Sequence, residues 1–137
     1  MRKTKAAFRA VREACGLTQQ DVADEFGVKV LSVKRWESDR EPNQPPDDVW
    51  KWLLACREAM ERDARELARA MVASLREAGG SEVVLDYHRT QEGLDAVQLG
   101  CGMDEPVGYF NARMRLVGSL LGEAGVPHTY AYPEGQA

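Results

Sequence analysis

Residues 16–42 read GLTQQDVADEFGVKVLSVKRWESDREP, and the fold is decided within them. Thr18 is a natural N-cap, because a hydroxyl there can accept a hydrogen bond from a backbone N–H of the first turn. Asp21, three residues on, can reach back to the cap as a capping-box acid does. Val22, Ala23 and Phe26 then recur at helical spacing and predict one buried side, and Gly27 ends the helix. A second short helix is predicted at once, from Val30 to Ser38, with Val33 and Trp36 at i and i+3 pointing inward. Upstream, Lys5 to Ala14 places Ala6, Phe8, Val11 and Ala14 at helical spacings, with Gly16 as the stop.

Two short helices joined by a tight glycine turn make a helix-turn-helix unit. Downstream, Glu41–Pro46 (EPNQPP) carries three prolines and cannot be helical throughout. It predicts a boundary between a DNA-binding domain over 1–45 and a second domain over 46–137. Asp47 and Asp48 open a long helix with acids where the helix dipole favours them, and Gly79 and Gly80 stop it after Ala78. Leu53, Met60 and Leu67 lie seven apart, Ala64 and Met71 interleave with them, and Leu75 continues the seam. That seam fits a coiled coil, and equally a helix packed on its own C-terminal layer. Ser81–His88 (SEVVLDYH) reads as a strand, CGMDEPVG (101–108) as a loop, and Tyr109–Leu121 as a helix with Phe110, Met114, Val117 and Leu121 inward. Val126–Tyr132 is a short strand able to pair with the first, and PEGQA (133–137) is a frayed tail. The fold class is therefore mostly α: an N-terminal helix-turn-helix bundle, then a long helix and a small α+β dimerisation layer. Leu53, Met60, Leu67, Met71, Phe110 and Met114 are the expected dimer contacts.

The chain has 137 residues and a formal net charge of −4, which taken alone argues against a nucleic-acid partner. The distribution argues the other way: residues 1–46 carry nine Lys/Arg against seven Asp/Glu, and the remainder nine against fifteen. Phosphate binding depends on the local face, not on the total. No apolar run is long enough to span a membrane or to make a signal peptide, so a cytoplasmic location is expected. Cys15, Cys56 and Cys101 are odd in number and widely spaced, which gives neither a disulfide framework nor a zinc site. No Gly-rich phosphate loop and no nucleophile motif is present. On a strand, Asp86 and His88 share a face and Tyr87 points away, which is ordinary alternation and not an acid–base pair. No enzyme, cofactor or metal is predicted. Trp50 and Trp52 are assigned to core and hinge packing.

The stretch from Gly16 to Pro42 resembles the Cro and lambda-repressor type helix-turn-helix family. The likeness rests on Gly16-Leu17-Thr18-Gln19, on Ala23 with Gly27, on Val33, Trp36 and Glu37, and on the trailing Arg40 and Pro42. It implies a transcriptional regulator binding double-stranded DNA, with the Val30 helix entering a major groove. By the resemblance, Val30, Leu31 and Arg35 face base edges, while Gln19, Ser38 and Arg40 hold phosphate. Thr18 shares the helix N-terminus with Gln19, and Lys29, Ser32 and Lys34 are close enough to join in. Val30 and Leu31 are apolar where Gln, Ser or Arg is common in the family. Such side chains read only a thymine methyl or a shape, which shifts the reading to Arg35 and Lys34, or else they meet a partner protein.

The order WES, proline turn, PDDV, long helix, VLDYH and YFNARMRLVGSLL is similar to anti-CRISPR-associated repressors and related small dimeric regulators. That likeness implies a homodimeric autorepressor acting on a palindromic, inverted-repeat operator. Two alternatives stay open: an antitoxin-type regulator whose C-terminal part covers a protein, and a ligand-sensing one. A folded Val83–Tyr132 disfavours the first, and Tyr87, His88, Asn111 and His128 are the polar groups available to the second.

Overall fold

The computed structural model describes residues 1–98 and 104–133. Its elements run α1 (Lys5–Ala14), α2 (Gln19–Phe26), α3 (Val30–Glu37), α4 (Asp47–Ala78), β1 (Val83–Asp86), α5 (Gln91–Gln98), α6 (Val107–Glu123) and β2 (His128–Ala131). The fold is mostly helical, as the patterning requires. Cys101 with most of the glycine-rich end of its expected loop, and residues 134–137 of the expected tail, lie outside the described residues. Among the described residues, no helix is long and apolar enough to cross a membrane.

The chain divides into two compact units, Met1–Ala59 and Met60–Ala137. The division falls inside α4 and not at the prolines, because Val49, Trp50 and Leu53 from the first turns of α4 complete the first unit's core. In that core Phe8 meets Trp36 and Trp50 edge-on, at centroid distances of 6.3 and 5.2 Å. Val11, Cys15, Leu17, Val22, Ala23 and Val33 fill the space around them. Ala6 and Ala14, which share helical spacing with Phe8 and Val11, are exposed; the inner side of α1 is carried on by Arg12 and Cys15. Phe26 is half-buried against the edge of Trp52.

The local signals are realised as read. Thr18 Oγ1 accepts from Asp21 N at 2.9 Å, and Asp21 Oδ2 accepts from Thr18 N at 2.8 Å, a complete capping box. Gly27 takes φ 62°, the left-handed conformation a side chain would strain, and so turns the chain directly into α3.

In the second unit, β1 and β2 pair in parallel, with Val83 opposite His128 and Asp86 opposite Ala131. A parallel pair needs a crossover, which α5 and α6 supply. The core joins Ala64 and Ala68 of α4 to Val83, Leu85, Met114, Val117 and Leu121. Ala64 of the seam and the neighbouring Ala68 allow close packing, so the later part of the seam lies against its own C-terminal layer, with Leu67, Met71 and Leu75 partly buried at its margin. Gly118 faces Tyr130 closely: a Cβ there would stand 2.0 Å from Tyr130 Oη, so a side chain would have to displace that ring. Among the described residues, α5 has no counterpart in the sequence reading. The expectation that Asp86 and His88 share a face also fails. The strand stops at Asp86, which is exposed, and His88 turns into the core at 3% exposure. The cause is Asn111, whose amide accepts from His88 N at 3.0 Å and donates to His88 O at 2.8 Å, replacing the ladder.

Candidate nucleic-acid interface

Helix α3 has one committed side and one open side. Val33 is fully buried and Trp36 nearly so. The opposite side carries Leu31 and Arg35, one turn apart, flanked by Lys34. Leu31 is 51% exposed, a large apolar group standing in solvent, and Lys34 and Arg35 are exposed too. Val30 and Ser32 are half-buried at the margins. Among the described residues, neither Lys34, Arg35 nor Arg40 makes an ion pair, so these cations remain available to an anion. Lys29, the N-cap of α3, is exposed as well.

Around this helix the phosphate candidates are individually positioned. Thr18 Oγ1 is occupied as an acceptor, but its hydroxyl proton is left to donate. Gln19 Nε2 donates to Glu37 Oε1 at 3.1 Å, which fixes the amide at the N-terminus of α2. Backbone N–H groups at such a terminus favour an anion. Ser38 caps α3, its Oγ accepting from Arg40 N at 3.3 Å. Lys5 Nζ donates to the carbonyls of Arg35, at 2.8 Å, and Asn43, placing a cation on the C-terminal end of α3 where the dipole favours it.

The residue that sequence reasoning missed is Arg12. Its Nε and Nη2 donate to the two oxygens of Glu37 at 2.6 and 2.8 Å, and Nη1 donates to Leu17 O at 2.8 Å. This bidentate pair fastens α1 to α3, and through Glu37 it also holds Gln19. The available signal was position: Arg12 lies four residues after Phe8, on the buried side of α1.

The six expected dimer contacts separate by burial. Leu53 is buried in the first unit, and Met60 and Met114 in the second, so these three are core. Leu67, Met71 and Phe110 keep part of their surface. Leu67 and Met71, with Leu75 and Val83, line a shallow apolar groove of about 410 Å³.

The polar groups considered for sensing are engaged elsewhere. Asn111 holds the His88 backbone, Tyr87 Oη accepts from Arg115 at 2.7 Å, and His128 Nδ1 lies 3.1 Å from Val126 O. Cys15 is buried, and burial, followed by the charge of Glu25, pushes the Cys56 thiol up to about 11, away from nucleophile chemistry. Among the described residues, no group of His, Cys, Asp and Glu is placed to hold a metal ion.

Residues 8–57, about a third of the chain, match the helix-turn-helix family model. That family is DNA-binding and regulatory, and generally not enzymatic. The match supports DNA binding and transcription regulation, and it covers α2, α3 and the open face described above. No curated protein matches the sequence.

Proposed function

We propose that the protein is a transcriptional repressor of its own operon, binding an inverted-repeat operator as a homodimer. The observation that carries this reading is the division of α3: Val33 and Trp36 anchor it, and Leu31, Lys34 and Arg35 stand exposed on the opposite side. A helix anchored on one side and cationic on the other is the form that enters a major groove. In this reading Arg35 and Lys34 address base edges, Leu31 and Val30 meet a thymine methyl, and Thr18, Gln19, Lys29, Ser32, Ser38 and Arg40 hold the backbone.

The dimer is supported by what the second unit leaves open. The groove of Leu67 and Met71, with Phe110 nearby in sequence to the buried Met114, is apolar surface of the kind a subunit contact covers. A two-stranded parallel sheet is also small for a layer with no further partner. A two-fold dimer presents two recognition helices and so asks for two half-sites about 34–36 Å apart.

The test is selection of bound sequences from a random duplex library, with light scattering on the protein and on the complex. An inverted repeat occupied by two chains is expected. A monomer at micromolar concentration, binding one chain per duplex, overturns the dimer; failure to enrich any sequence overturns the operator.

A further inference from the structure

A second groove, of about 390 Å³, opens between α4 and α6. Its floor is apolar, built on Val72, Leu120 and the nearly buried Leu121, and its rim carries Arg65, Arg69 and Arg76. All three arginines are exposed, and among the described residues none of them makes an ion pair or hydrogen bond. The other arginines of this unit do have partners. Arg62 lies against Asp63, Arg113 against Glu105, Arg115 against the Tyr87 hydroxyl, and Arg89 over the Tyr132 ring. The unit also has more acids than bases in its sequence, so leaving three guanidinium groups unmatched beside one apolar trough is a local exception.

We infer that this groove binds an elongated amphipathic anion, a molecule with a carboxylate-type head and an unbranched apolar body. Guanidinium is the side chain suited to such a head, offering two parallel donors to two oxygens. Arg65 and Arg69 are one helical turn apart and can share one head. Arg76 lies further along the same helix, about 10 Å from Arg69 at 1.5 Å per residue, a span that fits an extended chain of roughly ten carbons along Val72. The volume lies in the range of small-molecule sites, which run from about 300 to 1,000 Å³. The inference goes beyond the DNA reading and does not rest on it.

The test uses the full chain without DNA and decanoate as the probe, below its micellar concentration, followed by titration calorimetry. One site per chain is expected. Shortening the probe to octanoate should weaken binding by about tenfold, the worth of two methylenes. Decyltrimethylammonium, with the same body and opposite charge, should not bind. Arg69→Gln should weaken decanoate binding by about three- to tenfold. Ala73→Leu places bulk in the trough at an exposed helical position and should abolish binding with the melting temperature unchanged. If the cationic probe binds as well as decanoate, or if neither variant alters decanoate binding, the inference fails. It fails also if decanoate does not bind; if Arg69→Gln then turns a dimer into a monomer by sedimentation, the groove is a contact between two copies.

Discussion

Replacing Glu37 with alanine leaves the Arg12 guanidinium in the core with one remaining acceptor, the carbonyl of Leu17. The two side chains are only 10% and 5% exposed, so water cannot replace the lost carboxylate without opening the packing. Breaking a buried pair in this way costs about 3–5 kcal/mol. Whole-domain stability is roughly 5–15 kcal/mol, so the loss is a large share of it. In a unit of about 60 residues, 1 kcal/mol moves the melting temperature by about 4–8 °C, and Glu37→Ala should lower it by roughly 12 °C or more. The assay is urea unfolding followed by tryptophan fluorescence, since Trp36 and Trp50 lie in the same core. The companion variant is Arg12→Met with Glu37→Leu, which removes both charges and keeps the volume. It should fall within about 1 kcal/mol of the parent, because no charge is left stranded. A Glu37→Ala loss below about 1 kcal/mol, or a double variant as unstable as the sum of its parts, would refute the reasoning.

Arg35→Ala should weaken operator binding and relax the preference at one base pair of each half-site by about 1–3 kcal/mol. Arg40→Ala should weaken operator and scrambled duplexes alike and reduce the salt slope by about one; binding of both variants across a salt series separates the two roles. Burial pushes the Glu105 carboxyl up, but the hydrogen bonds and charge of Arg113, with Gln98, outweigh it and hold the group below its usual range. A carboxyl held lower in the folded than in the unfolded state gives stability that is complete above the ordinary carboxylate range. That contribution is lost as the pH falls through the folded value. Urea midpoints taken from about pH 6 to pH 2 should therefore drop less steeply for Glu105→Gln than for the parent. Cys56, with its thiol at about 11, should be alkylated slowly at pH 8, where about one thiol in a thousand is ionised. The rate, read by peptide mass, should rise about tenfold per pH unit.

The first half of the chain was legible because each of its elements carries local punctuation. Thr18 with Asp21 opens α2, Gly27 closes it, the prolines of 41–46 break the path, and Asp47–Ala78 is bounded by acids and glycines. Helix α5 was not legible because QEGLDAVQ spans only eight residues, holds a glycine and buries Leu94 alone, with Val97 left exposed. Its one signal is Thr90, whose hydroxyl accepts from Gly93 N at 3.0 Å. The burial of His88 was out of reach for a different reason. Strand alternation is a local rule, and the clamp that ends it comes from Asn111, 23 residues away. The same holds for Arg12, which reads as a surface charge until Glu37, 25 residues on, is placed beside it.

The Arg12–Glu37 pair also separates stability from positioning at the reading face. Glu37 Oε1 accepts from both Arg12 and Gln19, so one carboxylate oxygen connects the core to the N-terminus of α2. In the Arg12→Met, Glu37→Leu variant the packing is retained, but Gln19 loses the acceptor that holds its amide. Gln19 is half-buried, so water can satisfy it, and the cost to folding is small. The cost to an interface is of another kind, since an unanchored side chain must be ordered when it binds, at about 0.5–1.5 kcal/mol per side chain. The double variant should therefore fold like the parent and bind every duplex somewhat more weakly, with its base preferences unchanged, because Arg35 and Leu31 do not touch the pair. A change in preference, with affinity for random DNA intact, would mean that the pair sets the direction of α3 and not the reach of Gln19.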